Sequence, residues 1–222
     1  MSVKIITYNV QRNHSGEVVP VVQELAQKHP DSLICLQEVT DDIWRKIAGV
    51  LPVSVQRDEN MIIAPFGTDL ICPESLSFGR TTRTFLKVDV QSPHPVSVLT
   101  GKLRHGLAPR ERYTVLRDIL RYAGETPTLL ALDTNCILPW EFRIMFSLLR
   151  DSGFGHTRHA EWTHDKRRME HNWWKYIPSW LARGELDKIL FSPHFRLESS
   201  AVLSEMTASD HEPVTAHVKM KN

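Results

Sequence analysis

Short apolar runs alternate with amphipathic stretches through the first third of the chain. Val3 to Tyr8 is β-rich and short and predicts a strand. Ser15 is placed to cap a helix whose Val18, Val19, Val22, Leu25 and Ala26 share one face, with Pro20 tolerable only near the first turn. Ser32 to Leu36 reads as a buried strand, and Thr40 or Asp41 caps a helix carrying Ile43, Trp44 and Ile47. The middle is strand-rich: Met61 to Ala64, Arg83 to Val90 and Val96 to Leu103 are separated by Pro, Gly and Ser. Thr84 to Val90 alternates over much of its length, as a half-buried strand does.

Pro109 opens a helix with Val115, Leu116, Ile119 and Leu120 inside. Thr128 to Leu132 predicts another buried strand and Trp140 to Arg150 another amphipathic helix. Gly155 to Arg183 is polar and aromatic with little periodicity. Leu186 to Phe191, Arg196 to Leu203 and Val214 to Val218 close the chain as strands. No repeat, low-complexity tract or Gly/Ser linker divides it, so residues 1–222 read as one domain. Mixed strands with a few helices suggest stacked sheets with helices outside, although the element order alone also allows a doubly wound sheet.

Charge narrows the classes of function. Lys and Arg number 27 against 26 Asp and Glu, so no global basic field exists and a polyanion must be met by a local patch. That argues against a protein that coats nucleic acid and leaves room for an enzyme that grips one or two phosphates. Cys35, Cys72 and Cys136 are odd in number and widely spaced, which fits neither a disulfide framework nor a CxxC-type zinc site. Cys35, in Ser32-Leu33-Ile34-Cys35-Leu36, reads as a small core residue. The N-terminal residues lack a signal-peptide pattern, and no run approaches the ~20 apolar residues of a membrane span. The expectation is a cytoplasmic protein without stable membrane insertion.

Polar residues cluster where strands end, which is where a scaffold presents chemistry. Asn9 ends the first strand; Gln37 and Glu38 end the second; Asp133 and Asn135 end the one beginning near Thr128. Asp210 and His211 stand just before the last strand. Singly, most are ordinary turn or helix-start residues. Asp187, inside Leu186-Asp187-Lys188-Ile189-Leu190, is harder to dismiss, because a carboxylate in a buried strand needs a partner.

The set and its order carry the signal. Ile6-Thr7-Tyr8-Asn9-Val10, Leu36-Gln37-Glu38-Val39, Leu132-Asp133-Thr134-Asn135, Leu186-Asp187-Lys188-Ile189-Leu190 and Ser209-Asp210-His211-Glu212-Pro213-Val214 resemble the successive motifs of the endonuclease/exonuclease/phosphatase superfamily. The resemblance spans nearly the whole chain. It implies a four-layer α/β/β/α sandwich of two mixed β-sheets flanked by helices, and a phosphoester hydrolase dependent on Mg2+ or Mn2+. By resemblance, Glu38 is a metal ligand, with Asn9 helping to hold that region and the phosphate. Asp133 and Asn135 orient the attacking water and the phosphate, and His211 contacts the phosphate or exchanges a proton. Asp187 is expected to pair with His211, and Asp210 to lie near the metal or that histidine.

The chemistry is consistent with those assignments. A phosphodiester is anionic and repels hydroxide, so its charge must be neutralised. A hard divalent cation does this on carboxylate oxygens such as those of Glu38 and Asp210. Two departures stand out. Leu132 replaces the glycine that commonly precedes the aspartate. Lys102, in Leu99-Thr100-Gly101-Lys102-Leu103, stands where the superfamily has a catalytic histidine or tyrosine. A lysine can offer phosphate a flexible point charge; alternatively, the substitution marks a lost function.

Substrate choice is sought in 156–183, where His156, His159, His164, Lys166, Arg167, Arg168 and His171 interleave with Trp173, Trp174 and Trp180. Such a rim can bind phosphates and stack on bases or pack against lipid; equally it is a surface loop whose tryptophans pack on the domain. Arg104, His105, Arg110 and Arg112 either continue the phosphate surface or are the solvated start of a helix. The expected substrate is nucleic acid, cleaved as by a nuclease or an end-directed phosphodiesterase. The alternatives are a phosphatase or phospholipase on a small or lipid head-group phosphoester, and a catalytically impaired phosphate-binding protein.

Overall fold

A computed structural model describes residues 1–10, 15–48, 54–57, 59–65, 68–78, 84–91, 95–103, 109–136, 139–158, 163–165, 183–184, 186–206 and 208–221. In chain order the elements are β1 (Ser2–Asn9), α1 (Ser15–Lys28), β2 (Ser32–Gln37), α2 (Asp41–Ala48), β3 (Ser54–Arg57), β4 (Asn60–Ile63) and β5 (Leu70–Ser77). There follow β6 (Thr84–Val90), β7 (Val96–Lys102), α3 (Pro109–Ala123), β8 (Thr128–Asp133), α4 (Pro139–Asp151) and β9 (Gly155–His156). The last are β10 (His164–Asp165), β11 (Arg183–Gly184), β12 (Asp187–Phe191), β13 (Phe195–Val202) and β14 (Val214–Met220).

Two six-stranded sheets, ordered β13-β14-β1-β2-β4-β3 and β5-β6-β7-β8-β12-β9, account for all strands but the small β10-β11 pair. Each is mixed: β1–β2 and β7–β8 run parallel, and the other pairs are antiparallel. The parallel pairs are joined through α1 and α3, because returning to the same edge in the same direction requires a crossover. Three apolar layers hold the stack together. Val3, Ile5, Leu33 and Cys35 meet Val96, Val98, Leu129 and Ala131 between the sheets. Ile6, Tyr8, Ile34 and Leu36 pack outward on Val18, Val22, Leu25, Ile43 and Ile47 of α1 and α2. Leu99, Leu130 and Leu132 pack outward on Val115, Leu116, Ile119, Met145 and Leu149 of α3 and α4. The architecture is the four-layer sandwich expected from the motifs. No helix among the described residues is long and apolar enough to cross a membrane.

Several local expectations need amendment. Thr40 is the cap of α2, its Oγ1 accepting from the Ile43 N–H at 3.3 Å. Pro20 lies inside α1, beyond the first turn to which the sequence reading confined it. The strand β5 was not foreseen; it carries Pro73, and its register on β6 shifts between Ile71 and Glu74, as a Pro-bearing edge strand requires. Arg112 belongs to no phosphate-facing surface: it is buried and paired with Glu141 across the α3–α4 contact.

Gly101 has a steric reason for its size. A Cβ there would lie 2.3 Å from Cδ1 of Phe85, a buried ring itself held edge-on by Phe78 at 5.6 Å. Gly101→Ala is therefore expected to cost about 1–3 kcal/mol, the usual penalty of overpacking, visible as a lower urea midpoint. An unchanged midpoint would mean that the ring yields freely.

Candidate functional site

The strands that meet between the sheets change character along their length. On the inward face of β1 the order is Val3, Ile5, Thr7, Asn9; on β7 it is Val96, Val98, Thr100, Lys102; on β8 it is Leu129, Ala131, Asp133. The apolar end is core. The polar end is at the carboxyl termini of the parallel pairs, where an α/β scaffold opens a crevice. Gln37 ties the two sheets together here, its Nε2 donating to Thr100 Oγ1 at 2.7 Å and Thr7 Oγ1 at 3.1 Å. Antiparallel β12 starts at this end, with Asp187 opposite Asp133, and so does the segment entering β14, since Val214 pairs with Thr7.

Asn9, Glu38, Lys102, Asp133, Asn135, Asp187, Asp210 and His211 are brought together in two linked groups. In the first, Asn9 Nδ2 donates to Asp133 Oδ2 at 2.9 Å and to Glu38 Oε1 at 3.4 Å. The Lys102 ammonium bonds Glu38 Oε1 and lies 3.3 Å from Asp133 Oδ2. Burial alone would raise the Glu38 carboxyl, but the adjacent Lys102 charge and hydrogen bond hold it below its ordinary value. Asp133 is likewise raised by burial and brought below its ordinary value by Lys102 and His211. Lys102 itself, despite burial, is held above the ordinary lysine range by Asp133 and Glu38.

Asn135 joins this group through both its backbone and its side chain. Its N–H donates to Asp133 Oδ1 at 3.0 Å and its Nδ2 to the Leu103 carbonyl at 2.6 Å, so it fastens the end of β8 to the end of β7. Both Glu38 and Asn135 have positive φ, 60° and 49°. For non-glycine residues such backbone costs of order 1–3 kcal/mol and persists only where surroundings over-determine it. Here Val39 N–H bonds the Glu59 carbonyl at 2.9 Å and Val10 N–H the Gln37 carbonyl at 3.0 Å, holding both sides of Glu38.

In the second group, His211 Nδ1 lies 2.8 Å from Asp187 Oδ2 and its Nε2 3.9 Å from Asp210 Oδ1. His164 joins them: its Nε2 donates to Asp210 Oδ2 at 2.9 Å, and its ring stands edge-on to His211 with centroids 4.7 Å apart. His164 was read only as one of many loop histidines. A single backbone bridge from β10 to His211 places it, which no sequence spacing encodes. Ser209 latches the segment, accepting from His211 N–H at 2.9 Å and donating to the Asn9 carbonyl at 2.8 Å. Burial would lower His211, but Asp187, with Asp133 and Asp210, lifts it to about 9. Asp187 is raised by burial, which the His211 charge only partly offsets; Asp210 is also pushed up by burial but brought below its ordinary value by His164 and His211.

The donors suit a divalent cation. Oδ1 of Asp187 and Oδ1 of Asp210 are buried without a hydrogen-bond partner, and a buried carboxylate oxygen without one calls for a counter-charge. Two triads, His164–Asp210–His211 and Asp133–Asp187–His211, have ligand atoms within 4.8 Å of one another. Carboxylate oxygens suit Mg2+ and Mn2+, and imidazole admits softer ions. Glu38 belongs to neither triad; its oxygen is engaged by Lys102. Arg104, Trp173 and Trp174, expected to contact substrate, lie outside the described residues.

The endonuclease/exonuclease/phosphatase family profile matches residues 6–211. The chain belongs to the endonuclease/exonuclease/phosphatase family. Comparison with curated proteins gives no sequence match. Among solved structures, D. rerio TDP2 complexed with a single-stranded DNA product superposes with TM-score 0.76 at 17% identity, covering 99% of each chain. A Bacteroides vulgatus endonuclease/exonuclease/phosphatase superposes with TM-score 0.73 at 13% identity over 100% of both. Truncated Caenorhabditis elegans TDP2 gives 0.70 at 13% over 98% of both. At such identities the likeness shows a shared fold. The family's members are typically metal-dependent phosphoesterases.

Asp187 is the main charge that raises His211, so Asp187→Asn is expected to bring the imidazole titration down from about 9 toward its ordinary range. NMR of ring resonances in the metal-free protein reads this directly. A titration left at about 9 would assign the shift to Asp133 and Asp210 instead.

Proposed function

We propose that this chain is a metal-dependent phosphodiester hydrolase acting on nucleic acid. The observation that carries the reading is the convergence of Asn9, Glu38, Lys102, Asp133, Asp187, Asp210 and His211, from six separate segments, on one end of the sheet stack. Glu38 and Lys102 keep side-chain exposures of 13% and 15% while Asp133 has none, so an ester approaches from the Glu38–Lys102 side. The DNA product bound by D. rerio TDP2 supports nucleic acid as the substrate class.

Each residue has work that its surroundings permit. His211, an imidazolium at neutral pH, is oriented by Asp187 to stabilise negative charge developing on a phosphate oxygen. Asp133, kept ionised and fixed by Asn9 and Asn135, accepts a hydrogen bond from water and aligns it for in-line attack. Asn9 and Lys102 are donors to phosphate oxygens once an ester enters. Glu38 and Asp210 would hold the divalent cation, Mg2+ or Mn2+, whose contribution when bound is Lewis-acid withdrawal of charge from the phosphate. Arg104, Trp173 and Trp174 are assigned to gripping the strand by charge and stacking.

One observation favours a second reading. The Lys102 ammonium is bonded to Glu38, so a protein that binds phosphate without turning it over is the alternative. Exchanging Lys102 for His and for Ala separates the two: a working lysine loses rate in both, whereas a lost function regains rate with His.

Metal-dependent cleavage of single- and double-stranded DNA, RNA and a generic phosphodiester, with Glu38→Ala as the blank, tests the main reading. Nucleic-acid cutting that weakens steeply with salt is expected. Small phosphoesters alone would transfer the assignment to a phosphatase. His211→Ala should lower the rate by roughly 10²–10⁴, the contribution of a positioned acid or base; full activity would remove His211 from the mechanism.

A further inference from the structure

Lys102 ends β7 in register with Asp133, the last residue of its parallel neighbour β8. From there its side chain spans the gap between the sheets to Glu38, which follows β2 of the other sheet. It therefore stands between two carboxylates delivered by different sheets, bonded to Oε1 of one and 3.3 Å from Oδ2 of the other. Asn9 donates to the same two oxygens, so each inward-facing carboxylate oxygen is shared by an amide and an ammonium.

That arrangement conflicts with simple loading of a metal on Glu38. A divalent ion and an ammonium cannot both contact Oε1 in a site so little exposed, because their repulsion is weakly screened there. The ammonium can leave: it is a compact charge on a flexible four-carbon stem, and Lys102 lies on the side of the site that retains exposure. It will do so most readily when an anion stands ready to receive it. A neutral tyrosine or imidazole at this position would impose no such exchange.

We infer that Lys102 is the resident counter-cation of the Glu38 metal site, displaced when a divalent cation enters and received by the phosphate of the incoming ester. The inference rests on the proposed reading of the site as metal-dependent and phosphate-binding. It makes Lys102 a device that couples the two ligands. Metal alone binds weakly because it must expel the lysine into water, whereas metal with a phosphodiester binds tightly. By linkage the coupling is reciprocal: the metal raises affinity for the ester by the same factor.

Calorimetric titration of Mn2+ into the full chain, with and without dimethyl phosphate as an unreactive diester probe, tests this without relying on turnover. The wild type should bind Mn2+ about 10- to 100-fold more tightly when the diester is present, the range common for coupled sites. Lys102→Met should bind Mn2+ more tightly than wild type in its absence and gain distinctly less on its addition, the remainder being the direct attraction of metal for phosphate. Lys102→Gln provides a second neutral variant, circular dichroism verifies that each folds, and a wild-type affinity indifferent to the diester overturns the inference even if neither does. Mn2+ affinity unchanged by Lys102→Met, or wild-type affinity indifferent to the diester, overturns the inference provided that Glu38→Ala abolishes binding. If Glu38→Ala binds Mn2+ as wild type does, the metal assignment itself fails.

Discussion

The constraint on which this end of the molecule depends is the burial of several carboxylates within reach of one another. Asp133, Asp187 and Asp210 are at most 3% exposed, and the Glu38 side chain keeps 13%. Carboxylates taken out of water must be paired, hydrogen-bonded or protonated. Here two solutions operate side by side. Lys102 and Asn9 bond Glu38 and Asp133, while His211 and His164 each bond one oxygen of Asp187 and Asp210 respectively. The strained backbone at Glu38 belongs to the same problem, since that turn delivers its carboxylate to Lys102 of the other sheet, while the turn at Asn135 ties the end of β8 to the end of β7.

Much of this was legible because the strands obey a period of two. Val3-Ile5-Thr7-Asn9 and Leu129-Ala131-Asp133 are single faces that begin apolar and end polar, so the ends bearing chemistry could be found without knowing which strands are neighbours. The parallel pairs and their crossover helices then place those ends together, and the ordered motifs identified the family. Harder to see were elements whose reason is tertiary. The strands β9, β10 and β11 are two residues each and carry no periodicity at all. His164 becomes part of the site only through its bridge to His211. Composition likewise misled at Arg112, a basic residue near the site in sequence whose side chain is spent on Glu141.

Identity of 13–17% with structures that superpose along their whole length implies that little of the sequence is needed to set the layers. Any residues of suitable volume and alternation will build them. The charge balance at the strand ends obeys a stricter physical rule, because buried carboxylates must be paired, and this is where Lys102 matters. The Lys102 ammonium, kept charged by Asp133 and Glu38, shifts the local balance toward neutrality. The buried Oδ1 atoms of Asp187 and Asp210 show that neutralisation is incomplete. A folded site with leftover negative charge next to a movable ammonium can hold a cation without needing one to fold. On the proposed reading, in which the ammonium yields to an incoming cation, the lysine separates stability from cofactor binding, two demands that a cluster of carboxylates alone would force on the same ion.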